Sequence, residues 1–309
     1  VREARRAARD LFDPAKDLSL PGTLYVVATP IGNLDDLTIR AGRILGEVEI
    51  VLAEDTRRTR GLLSHLGLSK PLRRLDAHAS TETITETARE IAEGACYALV
   101  SDAGTPVVSD PGAELVAATI AAGGVVVAIP GASAVLTALV ASGLAGHGFR
   151  FFGFLPRGGG ERSEVLAKIV ATEEPVVFYE SGPRTRDTIA DLATRMPERP
   201  AAIGRELTKL HEEFLRGRLT DLVALLDARA EELRGEVTIV LGSAPPVSHG
   251  LAEAEIDARI DAELDKGLHA KAAADVVAAW SGLARREIYA RVVGGAPPRR
   301  GTHPPAPPP

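Results

Sequence analysis

The stretch ALVSDAGTPVVSDPGAELVAATIAAGGVVVAIPGAS, residues 98–133, decides the fold class. Its apolar opening, 98–101, runs straight into turn formers and predicts a short buried strand. Residues 112–122 space their apolar side chains helically and stop at Gly123-Gly124, which predicts a helix. A second apolar run, 125–129, ends on Pro130-Gly131 and predicts another buried strand. Apolar strands alternating with helices indicate a mostly parallel sheet covered on both faces. No formal charge lies between Glu114 and Arg150, a span long enough to cross a bilayer. The two turn pairs cut it into a helix, a strand and a further helix near 133–142. Buried α/β core is therefore expected, not a membrane span.

The alternation extends outward in both directions. Residues 23–29 (TLYVVAT) predict a strand followed by the loop PIGN, and LTIRAGRILGEV (37–48) has helical spacing. A strand at 49–53 and helices at 57–66 and 81–93 follow. Ligands of such sheets bind at the carboxyl ends of strands, where PIGN, EDTRRTR (54–60), SDAGTPVVSDPG (101–112) and PGAS (130–133) lie. The pattern restarts after Gly146 with an apolar run at 149–154 and a basic loop, PRGGGER (156–162), expected to be mobile. Helices at 163–171, 185–196 and 219–230 and strands at 175–179, 201–205 and 237–241 complete this half. The expected organisation is an extension at 1–21, α/β domains at 22–146 and 147–245, and a helical, helix-turn-helix-like unit at 250–293. A Pro-rich tail, 294–309, is expected to be disordered.

Composition narrows the function classes. The net charge of −6 argues against a broad, non-specific nucleic-acid coat, although local basic patches remain compatible with it. Of 36 cationic residues 30 are Arg, which suits planar and phosphate partners. A single cysteine, Cys96, excludes an internal disulfide and a Cys-rich zinc site, and fits a reducing, cytoplasmic compartment. No basic start leads into an apolar block, so no signal peptide is expected. Seven scattered His residues without ligand spacing predict that no metal is needed.

The loop SDAGTPVVSDPG sets Asp102, Gly104, Thr105, Ser109 and Asp110 against a strand end. Gly permits close approach of a ligand, and Asp and Ser can hold hydroxyls or an ammonium group. Two turns and a helix cap at Ser109 or Asp110 fit the same residues equally well. Neither this loop nor PGAS has the Gly-x-Gly-x-x-Gly spacing or a Walker lysine, so dinucleotide and NTP sites lack support.

Seven segments in order carry a family likeness: TLYVVATPIGNLDDLTIRA, LAEDTRRTRGLLSHLGL, LVSDAGTPVVSDPG, IPGASAVLTALVASGL, GFLPR, FYES and RELTKLHEE. Together they resemble the bacterial small-subunit ribosomal RNA methyltransferase I family of the tetrapyrrole-methylase superfamily. The likeness covers about residues 23–241, and the helical unit is similar to the family's C-terminal segment. Two stretches depart from the pattern. LDAHAST keeps only His78 of a segment usually rich in His, Glu and Asn, and ESGPR lacks the usual His.

The resemblance implies two α/β domains with S-adenosylmethionine in the cleft between them, and 2′-O-methylation of a cytidine in the decoding region of 16S rRNA. By motif, Pro30 and Gly32 would line one wall. Asp102, Ala103, Gly104 and Thr105 would hold the ribose and amino-acid end, and Ser133 and Ala134 would complete the first-domain side. Tyr179 and Val237 would close the site from the second domain, although plain core packing explains both as well. A homodimer acting on the small ribosomal subunit is also implied.

Methyl transfer from a sulfonium requires an aligned acceptor, exclusion of water and removal of the 2′-hydroxyl proton. EDTRRTR offers Glu54 and Asp55, and RELTKLHEE offers Arg205, Glu206 and Lys209. Lys209 is the favoured base, provided that cationic neighbours and burial lower its pKa. Arg57, Arg60, Arg157, Arg162, Arg285 and Arg286 are the expected RNA contacts, with surface ion pairs as the competing explanation. Two other functions stay open. One is a corrin-precursor methylase, against which ATPIGN stands where a Val-Gly-x-Gly-Pro-Gly-Asp loop is usual. The other is a non-catalytic RNA-binding assembly factor.

Overall fold

The computed structural model describes residues 21–229, 231, 233–244 and 253–294. The expected extension up to residue 20 and the tail from residue 295 lie outside the described residues. Two compact units divide the chain, 1–243 and 244–309.

The first sheet contains β1 (Thr23–Val27), β2 (Ile50–Ala53), β3 (Leu72–Arg74), β4 (Cys96–Val100) and β5 (Val125–Ile129). Its order is β3-β2-β4-β1-β5, with every pairing parallel. Helices α1 (Ile39–Glu47) and α2 (Thr56–His65) cover one face, packing Ile44, Leu45 and Leu63 on Val27, Val51 and Val100. Helices α3 (Thr81–Ala92) and α4 (Ala113–Ala121) cover the other with Ile84, Ile91 and Leu115. Thr38, Asp55 and Ser80 accept backbone N–H bonds at the starts of α1, α2 and α3, as oxygen-bearing caps do. The start of α4 differs. Its cap is Gly112 at φ +120°, where a Cβ would stand 2.6 Å from Leu99 Cδ2, and no side chain caps the helix. Ser109 and Asp110 are thereby left for other work.

The second sheet contains β6 (Arg150–Phe154), β7 (Val176–Ser181), β8 (Pro200–Arg205), β9 (Glu213–Arg218) and β10 (Glu236–Leu241). Its order is β6-β7-β10-β8-β9, and only β6–β7 is parallel. A repeat of the parallel pattern is therefore not what forms. Residues 206–212 are too short for a parallel crossover, so β9 folds back on β8, and β10 enters antiparallel between β7 and β8. Helices α6 (Gly159–Val170), α7 (Gly182–Ala193) and α8 (Leu219–Asp227) cover one face around Phe178, Ile189, Leu222 and Ile239. The basic segment expected to be mobile is largely the first turn of α6, which begins at Gly159.

The opposite face of this sheet is covered by α5 (Ala134–Ser142), a helix from the first half of the chain. Val135, Ala138 and Leu139 of α5 pack with Val177, Ala202 and Val240 and with Ile31 of the loop after β1. This shared core makes both sheets part of one compact unit.

In the second unit α9 (Glu253–Asp265), α10 (Ala270–Ser281) and α11 (Arg285–Gly294) enclose Ile256, Ile260, Ala274, Val277 and Ile288. Gly282 at φ +72° turns the chain between α10 and α11, and Arg285 pairs with Asp275 across that turn. No helix among the described residues is long and apolar enough to cross a membrane.

Candidate active site

The loop after β4 is tied to its neighbours on both sides. The Thr29 N–H donates to Gly104 O (2.8 Å) and the Gly104 N–H to Thr29 O (3.0 Å), joining the loops that follow adjacent strands β1 and β4. Thr105 Oγ1 donates to Ala132 O (3.1 Å), joining the PGAS loop. Gly104 sits at φ +85°, with Ile31 Cγ2 3.2 Å from where a Cβ would be. A cavity of about 180 Å³ opens above this junction, between the two sheets.

Asp102, Ala103, Gly104, Thr105, Ser133 and Ala134 line it from the first sheet, and Tyr179 and Val237 from the second. Pro30 lines a neighbouring cavity of about 150 Å³ instead. Gly32 lines neither. It faces the loop after β8, where an added Cβ would collide with Lys209 Cγ and meet Leu207 O and Thr208 Oγ1 at 3.0 Å. Its lack of a side chain lets the two loops touch. Ile31, Arg58, Val108 and Phe154 also line the main cavity without having been selected from the sequence, as does Asp110, which the sequence left open between ligand contact and helix cap. The pair Ser-Asp before Pro111-Gly112 was the available signal for Asp110.

The site is electronegative. One oxygen of Asp102 accepts the Asp55 N–H (3.0 Å), and the other stands 3.5 Å from Arg58 Nε. Asp110 is pushed up to about 6, first by burial and next by the Glu54 charge, with the Ser101 hydroxyl opposing and Asp102 adding to the rise. Burial, then Asp102 and Asp76, raises Glu54 as well, against the pull of Arg58. Burial is also the main reason that Tyr179 rises to about 12. Among the described residues no group of three or more His, Cys, Asp or Glu is placed to hold a metal ion.

The candidate catalytic residues separate by their partners. Asp55 caps α2, accepting the Arg57 N–H (2.9 Å), and pairs with the Arg57 guanidinium (2.7 Å). Those bonds hold its carboxyl well below the usual range, so Asp55 is a structural acid in this geometry. Lys209 does not meet the condition set for a base. Burial, its largest influence, pulls it down, but Glu206 (3.0 Å) and Glu236 (3.1 Å) outweigh burial and keep the ammonium above its ordinary value. The expected cationic neighbour, Arg205, instead binds Glu213 at 3.2 Å. Burial acts to raise Glu206, yet the Glu236 N–H and Lys209 hold it low.

The arginines divide in the same way. Arg162 is a correction: it is only 13% exposed and turns inward, donating to Pro156 O (3.2 Å) and Thr188 Oγ1 (2.9 Å) beside buried Glu180. Its guanidinium is thereby taken up by the protein's own acceptors, including Asp191 at 3.4 Å. Arg57 and Arg285 are exposed but paired with Asp55 and Asp275, whereas Arg60, Arg157 and Arg286 stand exposed.

Backbone strain is concentrated in two loops, one of which lines this cleft. Among the described residues, the non-glycine residues with positive φ are Val107 and Ser109 in the loop after β4, and Glu206 and Thr208 in the loop after β8. Left-handed backbone persists outside glycine only where surroundings enforce it, and such positions cluster at functional sites.

The tetrapyrrole (corrin/porphyrin) methylase family profile matches residues 23–223. The chain belongs to the tetrapyrrole methylase family. Within it, a Neisseria meningitidis serogroup A protein called ribosomal RNA small subunit methyltransferase I is 41% identical over 276 residues, 89% of this chain and 94% of the relative. A Thermotoga maritima protein of the same name is 42% identical over 220 residues, 71% of this chain but 98% of the relative. The fold matches solved structures at low sequence identity. Diphthine synthase is 14% identical, with a TM-score of 0.54 over 71% of this chain and 90% of its own. A Thermus thermophilus uroporphyrin-III C-methyltransferase, solved with S-adenosylhomocysteine, is 23% identical, with a TM-score of 0.50 over 71% and 97%.

Proposed function

We propose that this tetrapyrrole methylase family member is an S-adenosylmethionine-dependent methyltransferase acting on the ribose 2′-oxygen of a cytidine in the decoding region of small-subunit rRNA. The observation that carries the reading is 41% identity running through 89% of the chain to a relative named for small-subunit rRNA methylation. The cleft has the chemistry for such a cofactor. Asp102 and Asp110 suit an ammonium group and ribose hydroxyls, while Ile31, Val108, Phe154 and Val237 offer apolar surface for an adenine ring. Gly104 leaves room that a Cβ would take.

Bound S-adenosylmethionine supplies an electrophilic methyl group on a cationic sulfur. The chain's own residues hold and deprotonate. The Asp55 N–H fixes one oxygen of Asp102 and leaves the other to accept from a ligand. Phe154, tilted on Tyr179 with ring centroids 5.0 Å apart, gives the open cleft an apolar side. Glu54 lines neither cavity but follows β2 directly before Asp55, whose N–H holds Asp102, and its charge acts on Asp110 of the lining. Because burial and its acidic neighbours also make that carboxylate more basic than an ordinary one, we assign proton removal to it. Lys209 then serves as a fixed cation at the cleft edge, and Arg60, Arg157 and Arg286 as RNA contacts. We also place the chain in the cytoplasm as a homodimer. The uncharged run between Glu114 and Arg150 exposes Ile120, Val125, Leu136 and Val140, and β5 is a sheet edge that a second copy could cover.

Transfer of a labelled methyl group to small subunits lacking the modification tests the function, with ribose methylation mapped along the rRNA. Labelled corrin precursors in place of labelled RNA would make this a small-molecule methylase, and transfer to neither would favour a non-catalytic RNA-binding role.

A further inference from the structure

The cavity behind Pro30 and the main cavity share two side chains, Asp102 and Arg58. The other charged residues on both linings are acidic: Asp110, Glu180 and Glu236. A polyanionic strand entering this cleft therefore meets an acidic wall with Arg58 as the cation on the two linings, at the junction between the cavities. The flanking residues of α2 are not equivalent to it. Arg57 is locked on Asp55, Thr59 is 5% exposed, and Arg60 lines neither cavity.

The hold on Arg58 is light. Its side chain is 63% exposed and touches Asp102 at 3.5 Å, a pairing that water screens strongly. Asp102 is pinned from its other side by the Asp55 N–H at 3.0 Å, so the carboxylate keeps its place when Arg58 leaves. Resting on the methyltransferase reading above, we propose that Arg58 is a positioning residue for the RNA. It leaves Asp102 when the cofactor engages that carboxylate, and it then clamps a phosphate of the acceptor strand where the two cavities meet.

Two consequences distinguish this from a structural role. Arg58 supplies one cation to the phosphate backbone, so its removal changes the salt dependence of RNA binding and not only its strength. Cofactor and RNA also become coupled through Asp102, and the coupling is reciprocal. The test measures binding of a folded small-subunit rRNA fragment across a potassium chloride series, with and without S-adenosylhomocysteine. Wild-type protein, Arg58→Gln, Arg58→Lys and a distant surface control, Arg89→Gln, are compared.

Arg58→Gln is expected to weaken RNA binding ~10-fold and to flatten the slope of log affinity against log salt by ~0.7–0.9, the contribution of one phosphate. Arg58→Lys keeps the slope, and Arg89→Gln changes nothing. S-adenosylhomocysteine tightens RNA binding ~2- to 5-fold in the wild type, a gain bounded by the weak exposed pair and absent in Arg58→Gln. If Arg58→Gln keeps the wild-type slope, or the wild type shows no coupling, the inference is overturned while wild-type methyl transfer still supports the enzyme. If the wild type neither binds the fragment nor methylates small subunits, the methyltransferase reading fails and this inference with it.

Discussion

Replacing Asp110 by asparagine should stabilise the ligand-free protein above about pH 6 while weakening its hold on a cationic ligand. In the folded chain this carboxyl is raised from 3.8 to about 6, chiefly by burial and by the charge of Glu54. Below the unfolded value both states are protonated, and aspartate costs nothing. As pH climbs from 3.8 to about 6 the unfolded chain ionises first, so wild-type stability falls, and above about 6 the loss is complete. At 1.36 kcal/mol per pKa unit the loss is at most about 3 kcal/mol. The cleft is open to solvent and Asp110 is only half-buried, so screening reduces the expected gain in Asp110→Asn to ~1–2 kcal/mol. Urea unfolding at intervals between pH 4 and pH 8 measures it. The two proteins should coincide near pH 4 and separate by pH 7, with calorimetry showing weaker S-adenosylmethionine binding in the variant. A constant difference across pH, or a less stable variant at pH 8, would show that Asp110 ionises without penalty and refute the reasoning.

Three further outcomes follow from the cleft. Glu54→Gln should lower the single-turnover methylation rate ~100-fold with little change in cofactor affinity. The wild-type rate should rise with pH through the raised Glu54 value and stay level through the lysine range. A second rise there, abolished in Lys209→Met, would return the base to Lys209. Gly104→Val forces a branched side chain to φ +85° against Ile31, costing ~1–2 kcal/mol in backbone strain and filling the cavity. Calorimetry showing wild-type cofactor affinity in a folded Gly104→Val protein would displace the site. Removing residues 244–309 should weaken RNA binding, since Arg286 goes with them, but leave cofactor binding and methyl transfer at saturating RNA in place, because a Thermotoga maritima relative matches this chain over 98% of its own length with only 220 residues. Loss of transfer at saturating RNA from a folded truncated protein would show that the helical unit does more than hold RNA.

Four of the five strands of the first sheet were legible because they are short apolar runs whose ends carry turn residues, whereas β3, Leu72-Arg73-Arg74, has no such run and was missed. The chemistry of loop 102–105 left turns and a ligand site equally open, and the family resemblance made the choice. Strand direction was not legible in the second half. Apolar periodicity is the same for parallel and antiparallel neighbours, and β9, EFLRGR, is a polar edge strand with little signal of its own. Arg57 and Arg58 are adjacent and chemically alike in sequence. What separates them is that Asp55 caps α2 and captures the nearer guanidinium, leaving the next one to Asp102. Arg162 looked like part of a basic loop, but buried Glu180 draws it inward over 18 residues of sequence. Asp110 stayed undecided between ligand contact and helix cap, a role that Gly112 takes because Leu99 leaves no room for anything larger. Lys209 shows the reverse limit: which acids would face it depended on Glu236, 27 residues further along.

The placing of β10 gives the unit a direction in time. The first sheet is complete once residue 129 has been made, and its last strand adds at an edge. The second sheet cannot assemble that way, since its middle strand is the last to be synthesised. Until residue 241 leaves the ribosome, β6–β7 and β8–β9 are two separate pairs, each with a bare edge facing the gap that β10 will fill. Arg199 is caught in the same wait, because the carbonyl that accepts from its Nε belongs to Gly242. Nascent chains halted shortly before residue 236 therefore carry a finished first sheet and a split second one, with two open strand edges as the natural targets for chaperones or for mispairing with a neighbouring chain.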